Sequence, residues 1–260
     1  MMTTRALILA AGRGSRLGNL TLDRPKCLTV LAGRTLLDWQ LAALRGAGIE
    51  DIAIVTGYRS ELLEGRGLRT IHNPRWTETN MVASAVCAAN WLEAGATVIS
   101  YSDIVYGPAV VRRLLESPDD VAITFDRAWL TLWSLRFDEP LSDAETFRED
   151  HGRLVAIGAR PGALADVQGQ YMGLLRCTPA GWERARTTWE SEPGDRRDRL
   201  DMTGLLQRLL GRSERIGTVG VDGGWCEVDS AEDLRRYERA LAGPGRWSHD
   251  WRETESGHGA

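Results

Sequence analysis

The sequence contains very little lysine, since Lys26 is the single one among 32 lysine and arginine residues. Arginine therefore supplies the general positive charge. The two side chains are not interchangeable, because the guanidinium is a planar fork whereas the ammonium is a compact point charge suited to one phosphate oxygen. A coding bias towards arginine would also leave one lysine by chance. The residues around Lys26 decide between these interpretations.

Cysteine and long apolar runs are also scarce. The cysteines stand far apart with no CxxC pair, which indicates neither a zinc site nor a disulfide framework and favours a reducing cytoplasm. They are Cys27, Cys87, Cys177 and Cys226. No run approaches the roughly 20 apolar residues of a membrane-spanning helix, and ALILAAG is too short for a signal-peptide core. We expect a cytoplasmic protein without a membrane partner.

Histidine and net charge indicate no additional function. The histidines show no metal-ligand spacing, and no Ser/His/Asp or Cys/His arrangement is indicated. They are His72, His151, His249 and His258. The formal net charge of -4 gives no reason to expect nucleic acid as a partner.

The length predicts one domain, because α/β folds reach roughly 250 residues without dividing. We assign this domain to residues 1–242. Residues 243–260 are rich in glycine and polar residues, and we expect a flexible tail there, although its two tryptophans could dock on the domain. A homodimer is also compatible with the sequence.

Short buried strands alternate with helices in the first half of the chain. RALILA at 5–10 and DIAIVTG at 51–57 have strand patterns, and the leucine spacing over 35–47 predicts a helix between them. Such a βαβ unit implies a parallel sheet in an α/β fold. In the second half WLTLWSLRF, RLVAIGAR and QYMGLLRC predict added antiparallel strands.

A glycine-rich loop follows the first strand, in AAGRGSRLGNLTLDRPK. Gly12 and Gly14 allow a tight turn whose N–H groups can face a polyphosphate, and Arg16 and Lys26 add cationic side chains. The loop has neither the GxxxxGK[ST] pattern nor a GxGxxG leading directly into a helix. A glycine pair alone also fits a purely steric need.

The stretch Leu9 to Lys26 resembles the signature loop of nucleotidyltransferases that activate sugar phosphates and small phosphorylated alcohols, most of all their phosphocholine cytidylyltransferase branch. The resemblance implies a Rossmann-like three-layer α/β/α fold with a mixed, mainly parallel sheet and antiparallel strands on the acceptor side. It assigns the catalytic cations to Arg16 and Lys26. It places the triphosphate of CTP on the loop residues Leu9, Ala10, Ala11, Gly12, Gly14 and Ser15.

Two aspartates are candidates for a magnesium site. Asp103 ends VISYSD and Asp229 lies in WCEVDSAEDL, and carboxylates at the carboxyl ends of strands converge on the ligand crevice of an α/β sheet. Mg²⁺ bound to phosphates needs only one or two protein carboxylates. The resemblance assigns Mg²⁺ to both residues. For Asp229, the sequence also fits an ordinary helix N-cap.

The resemblance places nucleobase contacts in NPRWTETNMVASAVCAANWL. Asn80 and Ser84 are one helical turn apart and could read a pyrimidine edge together, with Ser102 beside the nucleotide. The alternative is that Asn80 or Thr79 only caps the helix and Ser84 only packs as a small residue.

The acceptor site is the least defined. Trp129 and Trp133 share one face in a strand and could hold an ammonium group by cation–π attraction, although a core stripe fits equally. The candidates for the acceptor phosphate are Arg127, Arg136 and Arg176. Sugar-activating relatives use a second lysine for this contact, and the sequence has none.

We therefore predict Mg²⁺-dependent transfer of CMP from CTP to a small acceptor, with release of pyrophosphate. The acceptors that the resemblance implies are hydroxyethyl- or aminoethylphosphonate, phosphocholine and phosphorylated amino acids. Alternatives are a sugar-1-phosphate nucleotidylyltransferase on the same fold and a non-catalytic nucleotide-binding homologue. A glycosyltransferase would normally show a DxD motif, and YSDIVY has one aspartate.

Overall fold

The computed structural model describes residues 4–252. Its strands are β1 (Arg5–Ala10), β2 (Val30–Leu31), β3 (Arg34–Thr35), β4 (Ile52–Thr56), β5 (Arg69–His72), β6 (Thr97–Tyr101), β7 (Ile104–Tyr106), β8 (Val121–Asp126), β9 (Phe147–Asp150), β10 (Arg153–Ile157), β11 (Gln170–Cys177), β12 (Gly217–Val221) and β13 (Trp225–Glu227). Its helices are α1 (Leu36–Gly46), α2 (Met81–Cys87), α3 (Ala89–Glu93), α4 (Pro108–Leu115), α5 (Trp129–Arg136), α6 (Pro179–Glu190), α7 (Gly194–Arg199), α8 (Met202–Gly211) and α9 (Ala231–Ala242). No helix in this range is long and apolar enough to span a membrane.

A mixed sheet forms the centre of the described chain, in the order β5-β4-β1-β6-β11-β8-β12-β10-β9. Strands β5, β4, β1 and β6 are mutually parallel, and β8 is parallel to β12. Strand β11 is antiparallel to both β6 and β8, and β10 and β9 extend the sheet with antiparallel pairs. This confirms the predicted α/β architecture.

Two hydrophobic clusters cover the two faces of the sheet. Along β1, Ile8 packs into one cluster while its neighbours Leu7 and Leu9 pack into the other. Successive side chains of a strand point to opposite faces, so β1 is apolar throughout because both of its faces are covered. The helices on either side complete three layers.

The prediction of a strand over WLTLWSLRF is wrong. Residues Trp129–Arg136 form helix α5, and its buried positions include Trp129, Leu132, Trp133 and Arg136. Their spacing of three, four and seven residues is the stripe of an amphipathic helix. The strand was predicted from a two-residue period in the same segment, and over so short a run the helical and strand periods cannot be separated.

The C-terminal segment departs from the expected flexible tail. Trp247 stacks on Tyr237 of α9 with 5.4 Å between ring centroids, and Trp251 is buried with 4% of its surface exposed. His249 is fully buried, and its Nε2 lies 2.8 Å from Asp126 Oδ2 at the end of β8. The aromatic rings and this polar contact dock the segment. Residues 253–260, also part of the predicted tail, lie outside the described residues.

Candidate active site

The glycine loop connects β1 to two short 3₁₀ turns, Ser15–Thr21 and Lys26–Leu28. Gly14 has φ +72°, a left-handed conformation that favours glycine. A Cβ atom there would lie 2.7 Å from Lys26 Cβ, so the backbone of the loop passes directly over the lysine side chain. The Thr21 hydroxyl donates to Gly14 O at 3.1 Å, and Tyr58 N donates to Ala11 O at 2.9 Å. These bonds fix the loop on the sheet.

Lys26 bridges the two predicted metal-binding aspartates. It is buried, with 6% of its surface exposed. Its Nζ donates to Asp103 Oδ2 at 2.9 Å and to Asp229 Oδ1 at 2.6 Å. Burial works to lower the pKa of Lys26, but the two carboxylates outweigh it and the pKa is raised. Lys26 is therefore protonated, and its positive charge lies between the two carboxylates.

The two aspartates lie at the same end of one small ribbon. Strand β7 follows Asp103, strand β13 precedes Asp229, and the two strands pair antiparallel. Val228 N donates to Asp103 O at 2.8 Å beyond the last paired residues. The spacing of the carboxylates is thus set by local backbone pairing.

Asp229 is not the N-cap of α9. Ser230 takes that position and accepts a hydrogen bond from Asp233 N, while the Asp233 carboxylate accepts from the backbone of Ser230 and Asp229. The Asp229 side chain is therefore not used in capping the helix and instead contacts the site residues. Arg16 NH2 lies 3.0 Å from its Oδ1. Burial works to raise the pKa of Asp229, but Lys26 and Arg16 help to hold it below its usual value.

The carboxylate pair fits the needs of a divalent cation. The Oδ1 atom of Asp103 is buried and has no hydrogen-bond partner among the described residues. No cluster of three His, Cys, Asp or Glu residues in the described range forms a complete protein cage for a metal. Mg²⁺ at a nucleotide usually takes one or two carboxylates and completes its shell with phosphates and water. The donor set of Asp103 and Asp229 matches that pattern.

A cleft opens beside these groups at the carboxyl ends of β1 and β6. Its lining combines the glycine loop, the ion pair and the start of α2. The predicted residues that line it are Leu9, Ala11, Gly12, Gly14, Arg16, Lys26, Asn80, Ser84, Ser102 and Asp103. Ala10 instead packs in the core, and Ser15 lies on the exposed start of the first 3₁₀ turn.

Much of the chain, including the glycine loop, matches a known protein family. Residues 6–162 match the MobA-like NTP transferase domain. The chain belongs to this family. The match contains the whole glycine loop, Lys26 and Asp103, whereas Asp229 is contributed by the C-terminal part of the chain. The predicted resemblance to nucleotidyltransferases is confirmed.

Relatives of this MobA-like chain include named cytidylyltransferases. It is 34% identical over 245 residues to the CTP:phosphoglutamine cytidylyltransferase of Campylobacter jejuni. The aligned region covers 88% of this chain and 97% of that protein. It is 30% identical over 255 residues to the CMP-5'-(3-aminopropyl)phosphonate synthase of Streptomyces rubellomurinus, covering 92% of this chain but 39% of that protein. The structure of CTP:phosphocholine cytidylyltransferase from Streptococcus pneumoniae has a TM-score of 0.69 at 20% identity, over 92% of this chain and 99% of that one, which shows the shared fold.

The nucleobase candidates in this MobA-like domain are partly engaged in local structure. Asn80 Oδ1 accepts from Met81 N at 2.7 Å and caps α2, and its Nδ2 donates to Arg199 O at 3.2 Å. Ser84 Oγ accepts from Asn73 Nδ2 at 3.0 Å. Asn80 therefore does cap the helix, and both residues nevertheless line the cleft.

The acceptor candidates do not line this cleft. Trp129 and Trp133 retain 4% and 3% exposure and belong to the core, so neither offers an open ring face. Arg176 donates to backbone oxygens of Ser117 and Asp119, before the start of β8 and hence at the opposite end of the sheet. The predicted acceptor role of these three residues conflicts with their positions.

Two arginine candidates remain near the carboxyl ends of the strands. Arg127 is half-exposed and contacts the Asp222 carboxylate at 3.3 Å. Arg136 is 1% exposed, and its guanidinium contacts three carboxylates, one of which is Asp229. Arg136 thus belongs to the site, but it lies behind the aspartate and has no face open to an acceptor.

Four further residues line the cleft, and the first three lie in the segment predicted to contact the nucleobase without having been singled out as contacts there: Trp76, Thr79, Met81 and Tyr101. Sequence reasoning also missed Glu227, which lies two residues before Asp229. Burial raises the pKa of Glu227 against the opposing charge of Arg136. Residues two apart in a strand point to the same side, and this alternation, continued from Glu227 at the end of β13 to Asp229, was the available signal.

Proposed function

We propose that this protein transfers the CMP group of CTP to the phosphate or phosphonate group of a small molecule and releases pyrophosphate. The observation that carries the proposal is the Lys26 bridge between Asp103 and Asp229, directly beside the glycine loop. The cytidylyltransferase that shares 34% identity over nearly its whole length supports CTP as the donor.

The chemistry is an in-line substitution at the α-phosphorus of CTP. An acceptor oxygen forms the new P–O bond as the bond to the bridging oxygen of the β-phosphate breaks, and that oxygen leaves with pyrophosphate. A phosphate or phosphonate oxygen is already anionic at neutral pH. No general base is therefore required, and catalysis depends on positioning and on charge stabilisation.

The glycine loop and the two cationic side chains carry these tasks. Gly12 and Gly14 line the cleft, and in this proposal the backbone N–H groups around them hold the triphosphate. Lys26 and Arg16 stabilise the charge that develops on the departing pyrophosphate. Arg16 can move towards the nucleotide because its side chain is 70% exposed, whereas the buried Lys26 is fixed in place.

Asp103 and Asp229 would hold Mg²⁺, which supplies Lewis-acid stabilisation of phosphate charge when it is bound. The unpartnered oxygen of Asp103 favours this assignment. We extend the proposal to acceptors of the kinds named for the relatives: phosphonates, phosphocholine and phosphorylated amino acids.

The test is a turnover panel. Purified protein is incubated with each of CTP, UTP, ATP and GTP, with and without Mg²⁺, against hydroxyethylphosphonate, aminoethylphosphonate, phosphocholine, phosphoglutamine and glucose-1-phosphate. We expect pyrophosphate release with CTP and a phosphonate or non-sugar phosphate, and a CMP-linked product by mass spectrometry. Turnover of glucose-1-phosphate alone would instead establish a nucleotide-sugar enzyme. Nucleotide binding without any turnover would establish a non-catalytic homologue.

A further inference from the structure

Arg136 is enclosed by carboxylates at the side of the site away from the cleft. Its NH1 lies 2.5 Å from Glu227 Oε1, and its NH2 lies 3.2 Å from Asp229 Oδ2. Its Nε lies 3.2 Å from Asp233 Oδ1. Each nitrogen of one rigid fork therefore contacts a different carboxylate. These three acids come from β13, from the connection to α9 and from α9 itself.

The two oxygens of Asp229 have separate tasks. Oδ1 contacts Lys26 and Arg16 on the side of the cleft. Oδ2 contacts Arg136 on the buried side. A carboxylate that is held through one oxygen by a fixed guanidinium presents the other in a defined direction.

Arg136 is itself immobilised. It is the last residue of α5, and Arg236 NH1 donates to the backbone oxygens of both Leu135 and Arg136. The Arg136 guanidinium also lies 5.2 Å from the centroid of the Trp133 ring and 4.9 Å from that of Phe137. Aromatic rings, carboxylates and backbone contacts together leave it a single orientation.

We propose that Arg136 is a positioning residue that orients Asp229, and with it the Lys26 bridge, for the transfer reaction. The kinetic part of this inference rests on the proposed function. A lysine could not replace it, because one ammonium group cannot match three carboxylates that approach a planar fork from three directions.

The first test uses the single lysine of the chain as a spectroscopic probe. Labelling with [¹⁵N]lysine gives one side-chain ammonium signal, that of Lys26, and Asp229→Asn provides the reference for a broken bridge. We expect Arg136→Gln to move the Lys26 signal towards that reference. Arg184→Gln is the matched control, since Arg184 also contacts two carboxylates, Asp120 and Glu214, but at the opposite end of the sheet. A Lys26 signal unchanged in Arg136→Gln overturns the inference.

The second test separates positioning from acceptor binding. We expect Arg136→Gln to lower kcat by about 10²-fold, the scale of a misplaced catalytic group, while KM for CTP stays within threefold of wild type. A raised KM for the acceptor with unchanged kcat would overturn the inference in favour of direct acceptor contact. Arg136→Lys keeps the buried charge and provides the same kinetic readout should the glutamine variant fail to fold. Because the NMR test needs no turnover, failure of the proposed function leaves the positioning role testable.

Discussion

Lys26 Nζ and Asp229 Oδ1 lie 2.6 Å apart although 203 positions separate the two residues in the chain. The contact joins the loop after the first strand to the connection before the last described helix. It therefore depends on the complete sheet and on the β7–β13 ribbon being in place. The residues that would bind phosphate and those that would bind metal are already in contact, with their charges mutually compensated.

Lys26→Arg should lower kcat by about two orders of magnitude, the scale of losing one transition-state donor. The wider guanidinium fork cannot occupy the position of Nζ between Asp103 and Asp229 while Gly14 passes over the stem. The measurement is steady-state pyrophosphate release at saturating CTP. A variant with wild-type kcat would remove Lys26 from the catalytic role.

Gly14→Ala should impair turnover by displacing Lys26, because its new Cβ would lie 2.7 Å from Lys26 Cβ. The left-handed backbone adds roughly 1–2 kcal/mol of strain. Gly48→Ala is the matched control, since it has φ +87° but no atom within 4 Å of the added Cβ. We expect both variants to have a lower melting temperature than wild type in thermal unfolding. Only Gly14→Ala should have a kcat below that of wild type. Equal kcat in the two variants would show that the close approach has no catalytic consequence.

Asp103→Asn and Asp229→Asn should each reduce Mg²⁺-dependent turnover by at least about 10²-fold and weaken Mn²⁺ binding measured by EPR. A neutral amide is a poorer ligand for a hard cation and also leaves Lys26 without one of its two counter-charges. Asp222→Asn, on the exposed contact with Arg127, is the control. Full activity in either site variant would exclude that residue from the metal site.

His249→Ala should lower the free energy of unfolding by about 1–3 kcal/mol, because the buried Asp126 carboxylate loses a hydrogen-bond partner. Trp225 Nε1 and two backbone N–H groups still donate to Asp126, which keeps the loss moderate. The exposed His72 on β5 gives the control variant His72→Ala. Denaturant unfolding checks the difference, and identical midpoints for both variants would show that the C-terminal contact adds no stability.

Cys87 should be the fast-reacting thiol of the native protein. Burial raises the pKa of Cys27 and Cys177 to about 12, and it raises the pKa of Cys226 well above the usual value of a thiol. Cys87 is exposed. Titration with DTNB at pH 8 should therefore give one rapid equivalent, with the others appearing only on unfolding. Cys87→Ser should abolish the rapid phase. Two rapid equivalents in wild type would contradict the burial of the other three cysteines.

Most of the loop residues that the sequence singles out do line the cleft, because they are contiguous in the chain. Gly12, Gly14 and Lys26 lie within one loop, and the steric demand of a tight turn and the need for cations can be read from residue types. Asp103 follows from its place at the end of a buried strand. The direct bridge from Lys26 to both aspartates could not be derived, since it depends on a pairing between distant strands.

The acceptor side was not predictable in the same way. Trp129 and Trp133 stand four residues apart, a spacing that puts them on one face in a helix and in a strand alike. Their burial is decided by how α5 packs, which no local pattern contains. Arg136 illustrates the same limit: its role is defined by three carboxylates more than ninety residues away in the chain.

The scarcity of lysine has a practical consequence for amine chemistry. Apart from the α-amino group, the sequence offers acylating, carbamoylating and aldehyde reagents one primary amine, that of Lys26. Lys26 lines the cleft and has 6% of its surface exposed. Modification of a side-chain amine would thus occur within the proposed active site. Occupancy of the cleft by a nucleotide should protect it, so a simple mass increment could report ligand binding without any label on the ligand.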